Sequence, residues 1–109
     1  MQVSHLSKMT RGWFIGNFEP SLVKQNAVEV AVKMVTKGDR EESHYHKRAT
    51  EITAVVTGRV RMVNREFKKG DIVLLEPYEE TSFEALEDST IVVVKIPGAE
   101  NDKYLSGKK

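Results

Sequence analysis

The feature that most constrains the fold is a rhythm of short extended segments, broken by turn residues about every eight to twelve positions, with no convincing helical period anywhere. The alternation is cleanest over residues 28–35, where Val28, Val30, Val32 and Met34 share one face and Glu29 and Lys33 the other. Lys37-Gly38-Asp39 is turn chemistry. Residues 51–57 read as a strand, Gly58 as a turn or bulge, and 59–63 as its continuation, with Arg59 and Arg61 against Val60 and Met62. Asn64 and Arg65 read as a hairpin tip, and Lys69-Gly70-Asp71 as a second turn leading into a buried strand over 72–75. Strands over 81–85 and 90–96 flank a turn at Glu87-Asp88-Ser89, and Pro97-Gly98 closes the last of them. At the amino end, the aromatic-rich residues 12–18 read as a short strand that stops at Pro20.

Composition agrees with this rhythm. Val, Ile and Thr supply 26 residues against 12 for Ala and Leu, an excess of β-branched side chains that favours pleated, half-buried surfaces over helices. An all-β sandwich or barrel is therefore expected. With 109 residues there is room for one core, burying roughly 60 to 70% of the unfolded chain's surface. The barrel is expected over about 12–97, with 1–11 and 99–109 as terminal segments and the last residues frayed.

Several function classes drop out. Without cysteine, thiolate zinc sites, disulfide scaffolds and cysteine nucleophiles are excluded, so any metal takes nitrogen and oxygen ligands. A net charge of +1 provides no field to gather nucleic acid or an anionic membrane, and neither partner is expected. The longest aliphatic runs are four residues, and residues 1–11 have no apolar signal-peptide core, so a cytoplasmic protein is the expectation.

The chemistry-bearing pattern lies at His44-Tyr45-His46. In an extended segment a spacing of two sends both imidazoles to the same side, and Glu51 opens the next strand five residues on. Two imidazoles and a carboxylate on one point bind a divalent metal through one face and leave other positions open. Without metal the trio is a general acid/base cluster, or a polar knot that pins strands. Thr53 and Val55 share the face of Glu51, which gives the pocket small, mostly apolar walls. Arg59 and Arg61 read as a solvated strand face. Trp13, Phe14 and Phe18 read as core or subunit contacts.

The segment resembles the first motif of the cupins: Gly38, five residues, His44-Tyr45-His46, four residues, Glu51, six residues, Gly58. Each fixed position is matched. The resemblance implies a double-stranded β-helix, or jelly roll, whose motif histidines and glutamate face inward and bind Fe, Mn, Ni or Zn. The second motif is matched only in part, by residues 70–77. Tyr78 stands where a glycine is usual, and Thr81 where a fourth ligand, a histidine, is expected. The fourth position is thereby left to water, substrate or a side chain such as Glu79 or Glu80. Phe83 shares the face of Thr81 and lines either the pocket mouth or the core.

The function this implies is a small metal-binding cupin, of the oxygenase or isomerase type, acting on a small organic molecule. The alternatives are a non-catalytic binding or sensing barrel, and a metal-free pocket like that of sugar-nucleotide isomerases and epimerases, with histidine as base. A homodimer is expected, pairing through edge strands or the aromatic amino-terminal strand.

Overall fold

The computed structural model describes residues 1–106, so the frayed end expected at 107–109 lies outside the described residues. A short 3-10 turn, Leu6–Lys8, precedes ten strands. These are β1 (Trp13–Ile15), β2 (Glu29–Val35), β3 (Arg40–His46), β4 (Thr50–Thr57), β5 (Arg59–Met62), β6 (Arg65–Lys68), β7 (Ile72–Leu75), β8 (Thr81–Ala85), β9 (Ser89–Ile96) and β10 (Lys103–Leu105). They form two five-stranded sheets in the orders β1-β2-β9-β4-β7 and β10-β3-β8-β5-β6, with antiparallel pairing throughout. The two sheets face one another as a double-stranded β-helix.

The chain changes sheets between β4 and β5 at Gly58. Its φ of 87° is left-handed, and a Cβ there would stand 2.1 Å from Ser89 Oγ and 2.5 Å from the Asp88 carbonyl. Only glycine fits this corner. The β5–β6 hairpin turns one residue earlier than its sequence implies, with Val63 and Asn64 at φ of 50° and 59°. Both central residues of a type I′ turn need positive φ, and the β-branched Val63 adopts it at a steric cost.

Register fixes what faces inward. Trp13, Ala31, Val93, Thr53 and Val73 form one row across the first sheet, with Glu29, Lys95, Glu51 and Leu75 in the row beside it. Lys33, Ile91 and Val55 make a third. In β2 the polar face therefore points inward. Val30, Val94, Ile52 and Leu74, with Val32, Val92, Ala54 and Ile72, lie on the outer surface. The run 72–75 is half-buried rather than buried, because only one face of its sheet is covered: Val73 and Leu75 point in, while Ile72 and Leu74 lie on the outer face and remain 70% and 51% exposed.

The apolar core fills one part of the interior, around Val55, Val60, Met62, Val73, Leu75, Phe83, Ala85, Ile91 and Val93. On the second sheet's outer face Arg59 and Arg61 pair with Glu66, Glu84 and Glu87. The carboxy-terminal segment is more structured than its polarity implies, since β10 adds to the edge of β3. No helix among the described residues is long and apolar enough to cross a membrane.

Candidate functional site

His44 and His46 lie two apart on β3 and both point inward, while the intervening Tyr45 points out and stacks on Tyr78 and Tyr104. Glu51 reaches the same point from β4, in the opposite sheet. The three side chains present ligand atoms within 4.8 Å of one another. The site thus spans the interior, with two imidazoles from one wall and a carboxylate from the other.

The tautomers suit metal ligation. His44 Nδ1 lies 2.8 Å from the Glu42 carbonyl, an acceptor only, so the ring proton sits there and leaves the Nε2 lone pair free. His46 Nε2 is buried and has no hydrogen-bond partner. A buried polar atom without a partner costs free energy, and an ion held beside Glu51 removes that cost. Burial, with the charges of Lys95 and His44 adding to it, lowers the His46 pKa to about 4, so its ring is neutral at pH 7 and able to ligate. Burial raises the Glu51 pKa against the opposing pull of Lys95 and His44, which makes a nearby cation favourable for its ionised form.

The loop joining the histidines to Glu51 is held by a residue that sequence reasoning passed over. Asp102, 4% exposed, accepts hydrogen bonds from the backbone N–H groups of Lys47, Arg48 and Ala49 at 2.9–3.2 Å. Burial alone raises its pKa, but the N–H groups of Ala49, Arg48 and Lys47 outweigh it and hold the carboxyl below the ordinary aspartate value. The His46 carbonyl also accepts from the Tyr78 N–H at 2.6 Å. Both ends of the ligand-bearing segment are therefore fixed by backbone contacts.

Thr81 pairs with His44 in register and is buried, but its hydroxyl is committed: it accepts from the Val63 N–H at 3.1 Å and donates to the Ser82 carbonyl at 2.7 Å. It braces the β5–β6 hairpin. Glu79 and Glu80 do not reach the site; both are exposed, and Glu79 accepts from the Glu76 N–H within its own turn. No side chain from the second-motif region thus supplies a fourth ligand.

A cavity of about 140 Å³ surrounds the trio. Thr53, Thr81 and Phe83 line it, whereas Val55 is sealed in the apolar core beyond. Trp13 also lines it. Sequence reasoning missed Arg11, Lys33, Glu41, Lys95 and Lys103, which complete the polar wall. A cleft of about 550 Å³ lies next to it beneath the amino-terminal segment, and Arg11, Lys33, Glu41, Phe83 and Ile91 line both.

No family model matches the chain, and no curated protein matches it. Solved structures do. KdgF from Halomonas sp. is 22% identical with a TM-score of 0.63, over 71% of this chain and 76% of that one. An uncharacterized conserved protein with a double-stranded beta-helix domain from Klebsiella pneumoniae is 23% identical with a TM-score of 0.69, over 80% and 76%. Oxalate decarboxylase from Bacillus subtilis, which has Mn(II) centers, is 22% identical with a TM-score of 0.62; the match covers 74% of this chain but only 24% of that enzyme. These likenesses and the two facing antiparallel sheets show that the chain has the double-stranded β-helix fold.

Proposed function

We propose that the protein holds a divalent metal through His44, His46 and Glu51 and acts as an enzyme on a small organic molecule admitted through the cleft. The observation that carries this reading is the buried, unpartnered Nε2 of His46, on a side chain that brings a ligand atom within 4.8 Å of those of His44 and Glu51. Three ligands from two walls are the number usual for a catalytic metal, which keeps positions for water and substrate. The committed hydroxyl of Thr81 supports the open fourth position. When bound, the ion supplies Lewis acidity. The protein's part is to orient the imidazoles, through the Glu42 carbonyl and the Asp102-braced loop, and to exclude bulk water from a narrow cavity. The Mn(II) centers of the decarboxylase support a metal of this class, among Fe(II), Mn(II), Ni(II) and Zn(II).

Thermal unfolding in the presence of each ion tests the reading. An ion at a hundred times its dissociation constant stabilises the fold by about 2.7 kcal/mol. A rise in melting temperature with at least one ion, absent from Glu51→Gln, is expected. No rise with any of the four overturns the reading.

The same proposal includes a homodimer, formed through the outer face of the first sheet. Its central rows, Val30-Val94-Ile52-Leu74 and Val32-Val92-Ala54-Ile72, carry no charge. A second copy of this face meets it without burying an unpaired charge, as a two-fold interface requires.

A further inference from the structure

The interior of this barrel contains two lysines that the metal reading does not use. Lys33 on β2 and Lys95 on β9 both point inward, in the rows on either side of Trp13 and Ala31. Their ammonium nitrogens lie 5.0 and 5.1 Å from the centroid of the Trp13 ring. Ala31, fully buried, leaves the space between the two stems open to that ring. Lys95 is also the register partner of Glu51 on β4, which puts it beside the metal-site carboxylate.

Neither ammonium has a carboxylate within 4.0 Å among the described residues. Glu41, which also lines the cavity, is engaged elsewhere: it pairs with Lys103 at 2.8 Å. Around the cavity stand four cationic side chains, Arg11, Lys33, Lys95 and Lys103, against the carboxylates of Glu41 and Glu51. A metal ion adds further positive charge. Two half-buried, unpaired ammonium groups near one another cost stability, through lost hydration and mutual repulsion, and the aromatic face offsets only part of it. A ligand carboxylate supplies what they lack, as a charge-assisted hydrogen-bond acceptor.

We propose that Lys33 and Lys95, gathered around Trp13, form an anion subsite for the carboxylate of a small organic acid whose opposite end faces His44, His46 and Glu51. The substrate class, an organic acid, rests on the metal-site reading above; the anion subsite rests on the lysines alone. The inner cavity takes the carboxylate and the few atoms next to it, and any larger body of the ligand extends into the outer cleft, whose 550 Å³ is within the range of small-molecule sites.

Calorimetric titration of the full chain with succinate, and with its uncharged diamide as the matched control, tests the proposal. Each titration is made with and without Mn(II). Succinate is expected to bind with about tenfold or greater preference over the diamide, and Lys33→Met or Lys95→Met to weaken it about tenfold. Lys33→Arg, which keeps the charge, is expected to retain binding. Both methionine variants are expected to match or exceed the parent in melting temperature, because each removes an unpaired buried charge, and not to weaken Mn(II) binding, because each takes a positive charge away from the cation. Equal affinity for succinate and the diamide, absence of succinate binding at millimolar concentration, or undiminished binding by both methionine variants overturns the subsite. Should either variant fail to fold, the comparison of succinate with the diamide on the parent protein still decides. A chain that binds no Mn(II) but binds succinate through the lysines refutes the metal reading and leaves the anion subsite standing.

Discussion

The two parts of this barrel's interior are built from the same strands but serve opposite ends. Toward β5, β7 and β8, the inward positions are Val60, Met62, Val73, Leu75, Phe83 and Ala85, close-packed and apolar. Toward the β2–β3 opening, the inward positions are His44, His46, Glu51, Lys33 and Lys95. The first part provides the hydrophobic free energy of the fold. The second works against it, placing titratable groups where burial lowers the pKa values of His46 and Lys33 and raises that of Glu51. Groups of this kind gather where a ligand or ion completes them. The contrast teaches that stability and chemistry can be separated within one small domain, and mutations should separate them too.

The largest effect is expected in the apolar part. Leu75→Ala removes a buried side chain from the core and should cost about 2–5 kcal/mol by chemical denaturation, while the folded fraction binds metal as before. On the polar side, Glu51→Gln should do the reverse, with little change in the metal-free melt and loss of the metal-dependent gain of about 2.7 kcal/mol at saturation. A Leu75→Ala protein that folds normally but loses metal would break the division.

Asp102→Asn lies between the two. It weakens the brace on residues 47–49 and should cost about 1–3 kcal/mol as well as metal affinity. Its pH dependence gives a second check. The folded-state pKa is depressed, so the carboxylate's contribution is fully present above the ordinary 3.8 and is lost as pH falls through the lower folded value. Urea unfolding from about pH 5 to about pH 3 should therefore steepen in the parent relative to Asp102→Asn. Parallel curves would contradict this.

The smallest effect on the monomer belongs to the outer face. Ile72→Asp should alter monomer stability by no more than about 0.5 kcal/mol, yet convert a dimer to a monomer by light scattering. A parent chain already monomeric at micromolar concentration would refute the dimer.

The strands and the convergence of His44, His46 and Glu51 were legible in the sequence because both depend on local geometry. Period two alone sends His44 and His46 to one side, and Gly58 marks the sheet-changing corner by a steric demand of its own. What was not legible depends on distant partners. In β2 the hydrophobic face, Val30 and Val32, is the one a local argument would turn inward, yet register with β9 turns Lys33 in. The cationic wall was hidden for that reason. Strand β10 is three residues of a polar segment and exists through its pairing with β3. Asp102 gains its role only where the chain returns to the 47–49 loop, more than fifty residues away. The run 72–75 looked buried on both sides because nothing local shows that the outer face of its sheet is uncovered.

Elemental analysis of the purified protein beside its Glu51→Gln variant tests the central claim most directly. Close to one equivalent of a divalent transition metal per chain is expected in the parent, restored after chelation by adding the ion, with a marked loss in the variant. Equal metal content in the two proteins, or none in the parent even after incubation with Fe(II), Mn(II), Ni(II) and Zn(II), would contradict it.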